Sequence, residues 1–148
     1  MNLVSVRLIT DDVKRLVAFY ERALHTPATW STDDFAEVRT PTGTLAIGST
    51  RTVGLFGPGA AHPADNHTAI IEFLVADVDA EYARLSPWLT DVVTVPTTMP
   101  WGNRSLRVRD PDGTLLNFFT PVTADAVARF AGHDQQGAGR AHRRHPVR

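Results

Sequence analysis

The chain has 148 residues and 16.2 kDa, the size of one domain or of two small fused halves. Hydrophobic residues at 43% against 21% charged set an ordinary globular balance and exclude wholesale disorder. A formal charge of −1 gives no global basic field, so neither nucleic acid nor an anionic membrane is expected as a partner, and the lack of cysteine removes disulfides, thiol nucleophiles and cysteine-held metal. No apolar run approaches the roughly 18 residues of a membrane span, and Met1 to Ser5 lack a basic, then apolar, leader pattern. A cytoplasmic protein is the expectation.

In chain order, LVSVRLIT (3–10) predicts a strand. Asp11 or Asp12 then caps a helix over 12–24, whose Val13, Leu16, Val17, Tyr20 and Leu24 fall on one face. His25 follows as a helix-end residue. Strands are predicted over 27–32, 35–40 and 44–49, completing a βαβββ module in residues 1–50. Residues 51–67, rich in Gly, Pro and Ala, read as a linker. A second module over 68–121 repeats the order, with strands at 68–76, 91–95, 104–110 and 114–119. Its helix, 78–86, is capped by Asp77, stopped by Pro87 and covered by Trp88. A short C-terminal helix is predicted within 122–131. Residues 132–148, with four Arg and three His against one Asp, read as a disordered basic tail.

The two modules repeat in sequence as well as in pattern. FLVADV (73–78) lies on LITDDV (8–13) at an offset of 65, and RDPDGTL (109–115) lies on RTPTGTL (39–45) at an offset of 70. Both heptads carry the Pro and Gly of a strand–turn–strand connection.

This double βαβββ pattern, with DDVKRLVAFYERAL in the first helix, ADVDAEYARL early in the second half and PWGNRSLRVRDPDGTLLNFF at its end, resembles the vicinal-oxygen-chelate superfamily. That group holds glyoxalase I, extradiol dioxygenases and the fosfomycin- and bleomycin-resistance proteins. The resemblance spans residues 1–121 and implies an α+β fold, two βαβββ modules forming a curled mixed β-sheet cup around a small molecule. It also implies pairing of chains into a homodimer. In metal-dependent members a divalent cation is held from the first and last strand of each module. Carried onto this sequence, those four positions hold Ser5, Ile47, Ile70 and Asn117, and His67 falls on the opposite strand parity from Ile70. None is a good ligand for a catalytic divalent cation, so no metal and no cofactor are expected.

Period-2 alternation then predicts the rest of the cup. Arg7 and Glu72, related by the first offset, and Glu37 and Arg107, related by the second, face inward. They read as salt bridges across the cup or solvated charges at its mouth, or as a polar floor with Glu72 or Glu37 as a general base and an Arg to bind an anionic or carbonyl group. Phe119 joins the inward face. Trp30 and Trp101, nearly repeat-related, are placed at the rim, where two rings would stack a flat ligand. The resemblance points to a metal-free, bleomycin-resistance-like binding protein for an aromatic polar compound such as an antibiotic. The alternatives are a metal-independent lyase, isomerase or cyclase using Glu72, and a metal-dependent lyase or dioxygenase with other ligands.

Overall fold

The computed structural model describes residues 1–138. In chain order the elements are β1 (Ser5–Thr10), α1 (Val13–Leu24), β2 (Thr29–Thr32), β3 (Phe35–Arg39), β4 (Thr44–Ser49) and α2 (Thr50–Val53), then β5 (Ile70–Leu74), α3 (Val78–Leu85), β6 (Val92–Thr98), β7 (Asn103–Arg109), β8 (Leu115–Pro121) and α4 (Ala124–Ala138). The fold is α+β, with two four-stranded mixed sheets of equivalent order, β1-β4-β3-β2 and β5-β8-β7-β6. In each sheet the first strand runs parallel to the last, and the remaining pairs are antiparallel. No strand of one sheet hydrogen-bonds to a strand of the other among the described residues.

The helices form where the caps and apolar spacing require. The Asp12 carboxylate accepts from the Arg15 amide, and α1 buries Val13, Leu16, Val17, Tyr20 and Ala23 along one stripe. His25 closes that helix in the left-handed conformation at φ 49°, its amide donating to the Glu21 carbonyl. Asp77 caps α3 through the Asp79 and Ala80 amides. No helix among the described residues is long and apolar enough to cross a membrane.

A single apolar core joins the two modules. It takes Leu16, Val17 and Tyr20 from α1, Val78 from α3, Ala36, Val38, Leu45 and Ile47 from one sheet, and Leu106, Val108, Leu116 and Phe118 from the other. Between the helices, Arg84 donates to the Arg22 and Ala23 carbonyls at 2.8 Å each, and Phe19 meets Trp88 edge-on at 5.3 Å. Trp88 thus sits in the helical layer, as predicted. Tyr20 reaches from α1 to the β7–β8 turn, its hydroxyl donating to Asp110 at 2.6 Å. Since both sheets turn their core faces to this layer, their other faces point away from it.

Two elements depart from the sequence pattern. The expected linker contains α2, with the Ser49 hydroxyl accepting from the Arg51 amide. The C-terminal helix continues to Ala138 instead of stopping at 131, since the stretch holds no proline and the helix runs through Gly132 and Gly137; the remainder of the expected tail lies outside the described residues. Phe130 of this helix packs on Phe119 with ring centroids 5.0 Å apart, so α4 covers part of the second sheet's outer face.

The two repeat heptads, matched residue for residue in sequence, close turns of different length. Arg39 pairs with Thr44, leaving four residues in the first turn, whereas Arg109 pairs with Leu115, leaving five in the second. In the longer turn Gly113 adopts φ +88°, and Asp110 Oδ1 accepts from the Asp112 and Thr114 amides. In the shorter one Gly43 stays out of the left-handed region, and Thr40 supplies only a hydroxyl, bonded to both the Gly43 amide and carbonyl. One extra residue inverts which side chains of the following strand face which way. The repeat offset is therefore 70 across β3 and β7 but 71 across β4 and β8.

Candidate functional site

On the second sheet the outward face follows the predicted alternation. Register places Thr94, Arg107, Asn117 and Glu72 in one row across β6, β7, β8 and β5. The next row runs Thr97, Ser105, Phe119, Leu74, and Ile70 lies one row to the other side, beside Leu115. Asn117, though only 6% exposed, donates from Nδ2 to Glu72 Oε2 at 2.7 Å, so the orientation of its amide is fixed by a carboxylate that only accepts. Its Oδ1, together with Ser105 Oγ and Thr94 Oγ1, is buried with no protein hydrogen-bond partner among the described residues.

On the first sheet the outward row is Arg7, Ala46, Glu37 and Thr29. The Arg7 guanidinium lies between two rings, 4.7 Å from the centroid of Phe35 and 4.9 Å from that of Phe56, the latter contributed by the segment after α2. Glu37 pairs with Arg39 at 2.6 Å along its own strand. Ser5 lies outward and exposed at the open end of β1.

The predicted charge pairs do not form. Arg7 is held by aromatic rings, Glu72 by Asn117, Glu37 by Arg39, and Arg107 by the thioether of Met99 at 3.3 Å. Each charge finds a neighbour on its own sheet, since no strand of one sheet pairs with the other.

Two site residues lie elsewhere than predicted. Ile47 points into the core, fully buried beside Leu8 and Ala36, because the shorter turn after Arg39 shifts β4 by one residue; Ala46 takes the outward place equivalent to Asn117. Trp30 pairs with Ala36, a core-face residue, so it sits on the reverse side of the first sheet. Its rim position rested on the repeat offset to Trp101, whereas regular pairing of Thr29 with Glu37 and of Trp30 with Ala36 turns it to the core side. Trp101, 52% exposed, stands in the turn before β7, where its carbonyl accepts from Arg129. The two indoles therefore do not form one clamp. Phe35 and Phe56 are the aromatic groups beside Arg7 instead. Alternation along β3 puts Phe35 on the face of Glu37, while Phe56 lies in a stretch without periodicity and carried no signal.

The residues that would hold a metal in the metal-dependent relatives are, after the register correction, Ser5, Ala46, Ile70 and Asn117. They supply one exposed hydroxyl, two hydrocarbon side chains and an amide committed to Glu72. Among the described residues no three of His, Asp and Glu gather in metal-binding geometry. This donor set does not fit a catalytic divalent cation.

A buried titratable contact, Tyr20 with Asp110, lies away from the rows. Burial pushes the Tyr20 hydroxyl well above the usual phenol value, and the adjacent Asp110 charge adds to the shift. Burial also raises Asp110, against the lowering effect of its hydrogen bond from Tyr20. A cleft of about 130 Å³ lies nearby, bordered by Arg7, Leu16, His62, Asp65 and Asp112. It is smaller than the roughly 300 Å³ at which ligand pockets begin.

Two helix-backed sheets, each with an open outward face bearing a few convergent polar groups, define a protein built from paired βαβββ modules. The chain belongs to the Glyoxalase/Bleomycin resistance protein/Dioxygenase superfamily, whose family description matches residues 2–118. Among solved structures it is similar to TioX from Micromonospora sp. ML1, at 25% identity and TM-score 0.63, covering 82% of this chain and 100% of that one. It is also similar to a glyoxalase/bleomycin resistance protein/dioxygenase from Nocardioides (20% identity, TM-score 0.70, 84% and 85% covered). A family enzyme from Burkholderia phytofirmans PsJN matches at 14% identity and TM-score 0.72, with 82% and 100% covered. No protein of curated function matches the chain.

Proposed function

We propose that this chain is a metal-free binding protein that holds a small aromatic polar molecule, an antibiotic being one such class, without converting it. The observation that carries the reading is the donor set: Ser5, Ala46, Ile70 and Asn117 stand where metal-dependent relatives place their ligands, and they leave a cation without first-choice donors. What the outward faces offer instead is aromatic surface at Phe35 and Phe56, and hydrogen-bonding groups at Arg107, Asn117 and Glu72. Such a mixture of apolar lining with a few placed polar groups suits an organic ligand.

The same reading calls for a homodimer. Each outward face points away from the shared core, and the cleft beside Asp110, at about 130 Å³, is too small for an aromatic ligand. A second copy related by a two-fold axis would lay one sheet's outward face against another's and enclose a cavity. Apolar side chains exposed on the edge strands, Val6 and Ile70 at 42% and 53%, and Val93 and Val95, would then leave water.

The test is native mass spectrometry of the protein taken from its source cells, followed by release of whatever it holds. Recovery of one small molecule, unchanged after prolonged incubation with the protein, is the expected result. Its conversion by the protein would overturn the binding reading. A second reading, a metal-independent lyase or isomerase, draws on the exposed Glu72 carboxylate, whose orientation Asn117 fixes at 2.7 Å. There Glu72→Gln would abolish conversion while leaving the fold intact.

A further inference from the structure

The three arginines of β7 are satisfied very unequally. Arg104 is held by both oxygens of Asp79, at 2.7 and 2.9 Å, and Arg109 donates to the Gly113 carbonyl at 3.0 Å. Arg107, half-buried on the outward face, has only the Met99 thioether among the described residues, at 3.3 Å. A thioether sulfur is a weak acceptor for one of five guanidinium N–H groups. The contact also fixes where Arg107 points. The Met99 amide donates to the Asn103 carbonyl, so Met99 lies four residues back along β7, roughly 13 Å at the rise of a strand. Arg107 therefore lies folded along the strand over the intervening outward residue, Ser105.

Ser105 is 1% exposed and its Oγ has no protein partner among the described residues. The same holds for Asn117 Oδ1, next to Arg107 in its row, and for Thr94 Oγ1 on the other side. Buried polar atoms without partners are costly and uncommon. Three in one patch beside a poorly satisfied cation form a set of groups awaiting complementary ones. Glu72 takes the Asn117 amide nitrogen and so leaves its oxygen facing the patch, where only a hydrogen-bond donor satisfies it.

We propose that Arg107 is a latch, its thioether contact holding the place of an oxyanion, and that the row receives a ligand carrying a carboxylate next to an N–H donor, as an N-acylated amino acid does. This rests on the binding reading above and assigns the ligand's chemical class. The carboxylate draws the guanidinium off Met99 into a paired, charge-assisted contact. Withdrawal of the Arg107 side chain uncovers Ser105, whose hydroxyl joins in binding the oxyanion, and the ligand N–H donates to Asn117 Oδ1. Glu72 is a positioning residue in this arrangement.

The experiment titrates the full chain, by calorimetry, with N-acetyl-L-phenylalanine, its methyl ester, and 3-phenylpropanoate, which keeps the carboxylate but lacks the N–H. The acid is expected to bind about tenfold more tightly than the ester and about fivefold more tightly than phenylpropanoate. Arg107→Met, checked for folding by circular dichroism, should abolish the preference, so that acid and ester bind this variant equally. Met99→Leu should bind the acid as tightly as the parent or more so, because Arg107 then has nothing to release. Acid and ester within about twofold of each other on the parent protein overturn the latch whatever the variants do. So does weaker binding by Met99→Leu, or no detectable binding of any of the three. If the ester matches the acid and both are recovered unaltered, the latch fails while the binding reading stands. If the acid is preferred but consumed, the binding reading fails and the latch stands.

Discussion

Replacing Tyr20 with Phe removes one oxygen from the best-buried side chain of the core and tests how the two modules are joined. Tyr20 is fully buried, and Asp110 is 4% exposed. The hydroxyl donates to Asp110 Oδ2 at 2.6 Å, while Oδ1 is already occupied by two turn amides. In Tyr20→Phe the ring keeps its edge-on contact with Phe19, at 5.3 Å, so packing is preserved and the hydrogen bond alone is lost. A hydrogen bond to a charged group contributes about 1.5–3 kcal/mol, and the stranded oxygen keeps the substitution in that range. For a domain of this size the loss corresponds to a drop in Tm of about 4–10 °C.

The pH dependence gives a sharper check. Burial raises Asp110 above the ordinary carboxylate value in the folded protein. Between that ordinary value, near pH 4, and the raised one, the native state keeps a proton that the unfolded chain has released, so stability falls as pH rises through the interval. The Tyr20 hydrogen bond works against the shift, so removing it extends the interval upward. The destabilisation by Tyr20→Phe should therefore be largest near neutral pH and shrink toward pH 4, where a protonated Asp110 loses only a neutral hydrogen bond of about 0.5–1.5 kcal/mol. Urea denaturation of parent and variant at several pH values measures this. A difference under about 0.5 kcal/mol at pH 7, or one that stays constant with pH, would refute the reasoning.

The unequal turns predict that Gly113→Ala, at φ +88° with open space around the new methyl, loses about 1–2 kcal/mol to backbone strain, whereas Gly43→Ala loses almost nothing; paired thermal melts compare them. Arg84→Met should loosen the C-terminal end of α1 by about 1 kcal/mol, read as faster amide exchange at Thr26 and His25 and a lower Tm. Dialysis against a strong chelator should leave Tm and ligand binding unaltered, and loss of either would overturn the metal-free reading. Trp101→Ala, at an exposed turn residue whose ring remains available to a ligand, should leave the protein folded and weaken binding of the natural ligand by about 1–3 kcal/mol, measured by calorimetry.

The fold was legible because caps, apolar spacing and the internal repeat all point to the same two modules. The second sheet's outward face, Ile70, Glu72, Arg107, Asn117 and Phe119, was legible for the same reason: β5, β7 and β8 carry no irregularity, so counting by twos is valid from end to end. The repeat misled in the first module at two identifiable places. Arg39 to Leu45 matches Arg109 to Leu115 closely enough to suggest equal turns, yet an aspartate with two amide contacts supports the longer turn and a threonine hydroxyl closes the shorter one. That difference moved Ile47 to the core. Trp30 was placed by its repeat relation to Trp101, and its pairing with Ala36 turns it to the core side instead. Arg107's contact with Met99 was not legible at all, since it depends on a long side chain lying along its strand.

The unequal turns also bear on how two copies of one module come to differ. Inserting or deleting a single codon in the connection exchanges the inner and outer side chains of the next strand in one event, where point substitution would have to rewrite that strand residue by residue. Most strands would not survive the exchange, because polar groups from the wet side would be driven into the core. β4, TLAIGS, is buried on both faces from Leu45 to Ser49, and its alternating sets are leucine and isoleucine against alanine and glycine. Neither set carries a charge, so the exchange drives no ion into the core, and its cost is one of packing, as Ala and Gly take the places of buried Leu45 and Ile47. A central strand with that composition lets a duplicated half change its ligand chemistry abruptly while its scaffold is retained.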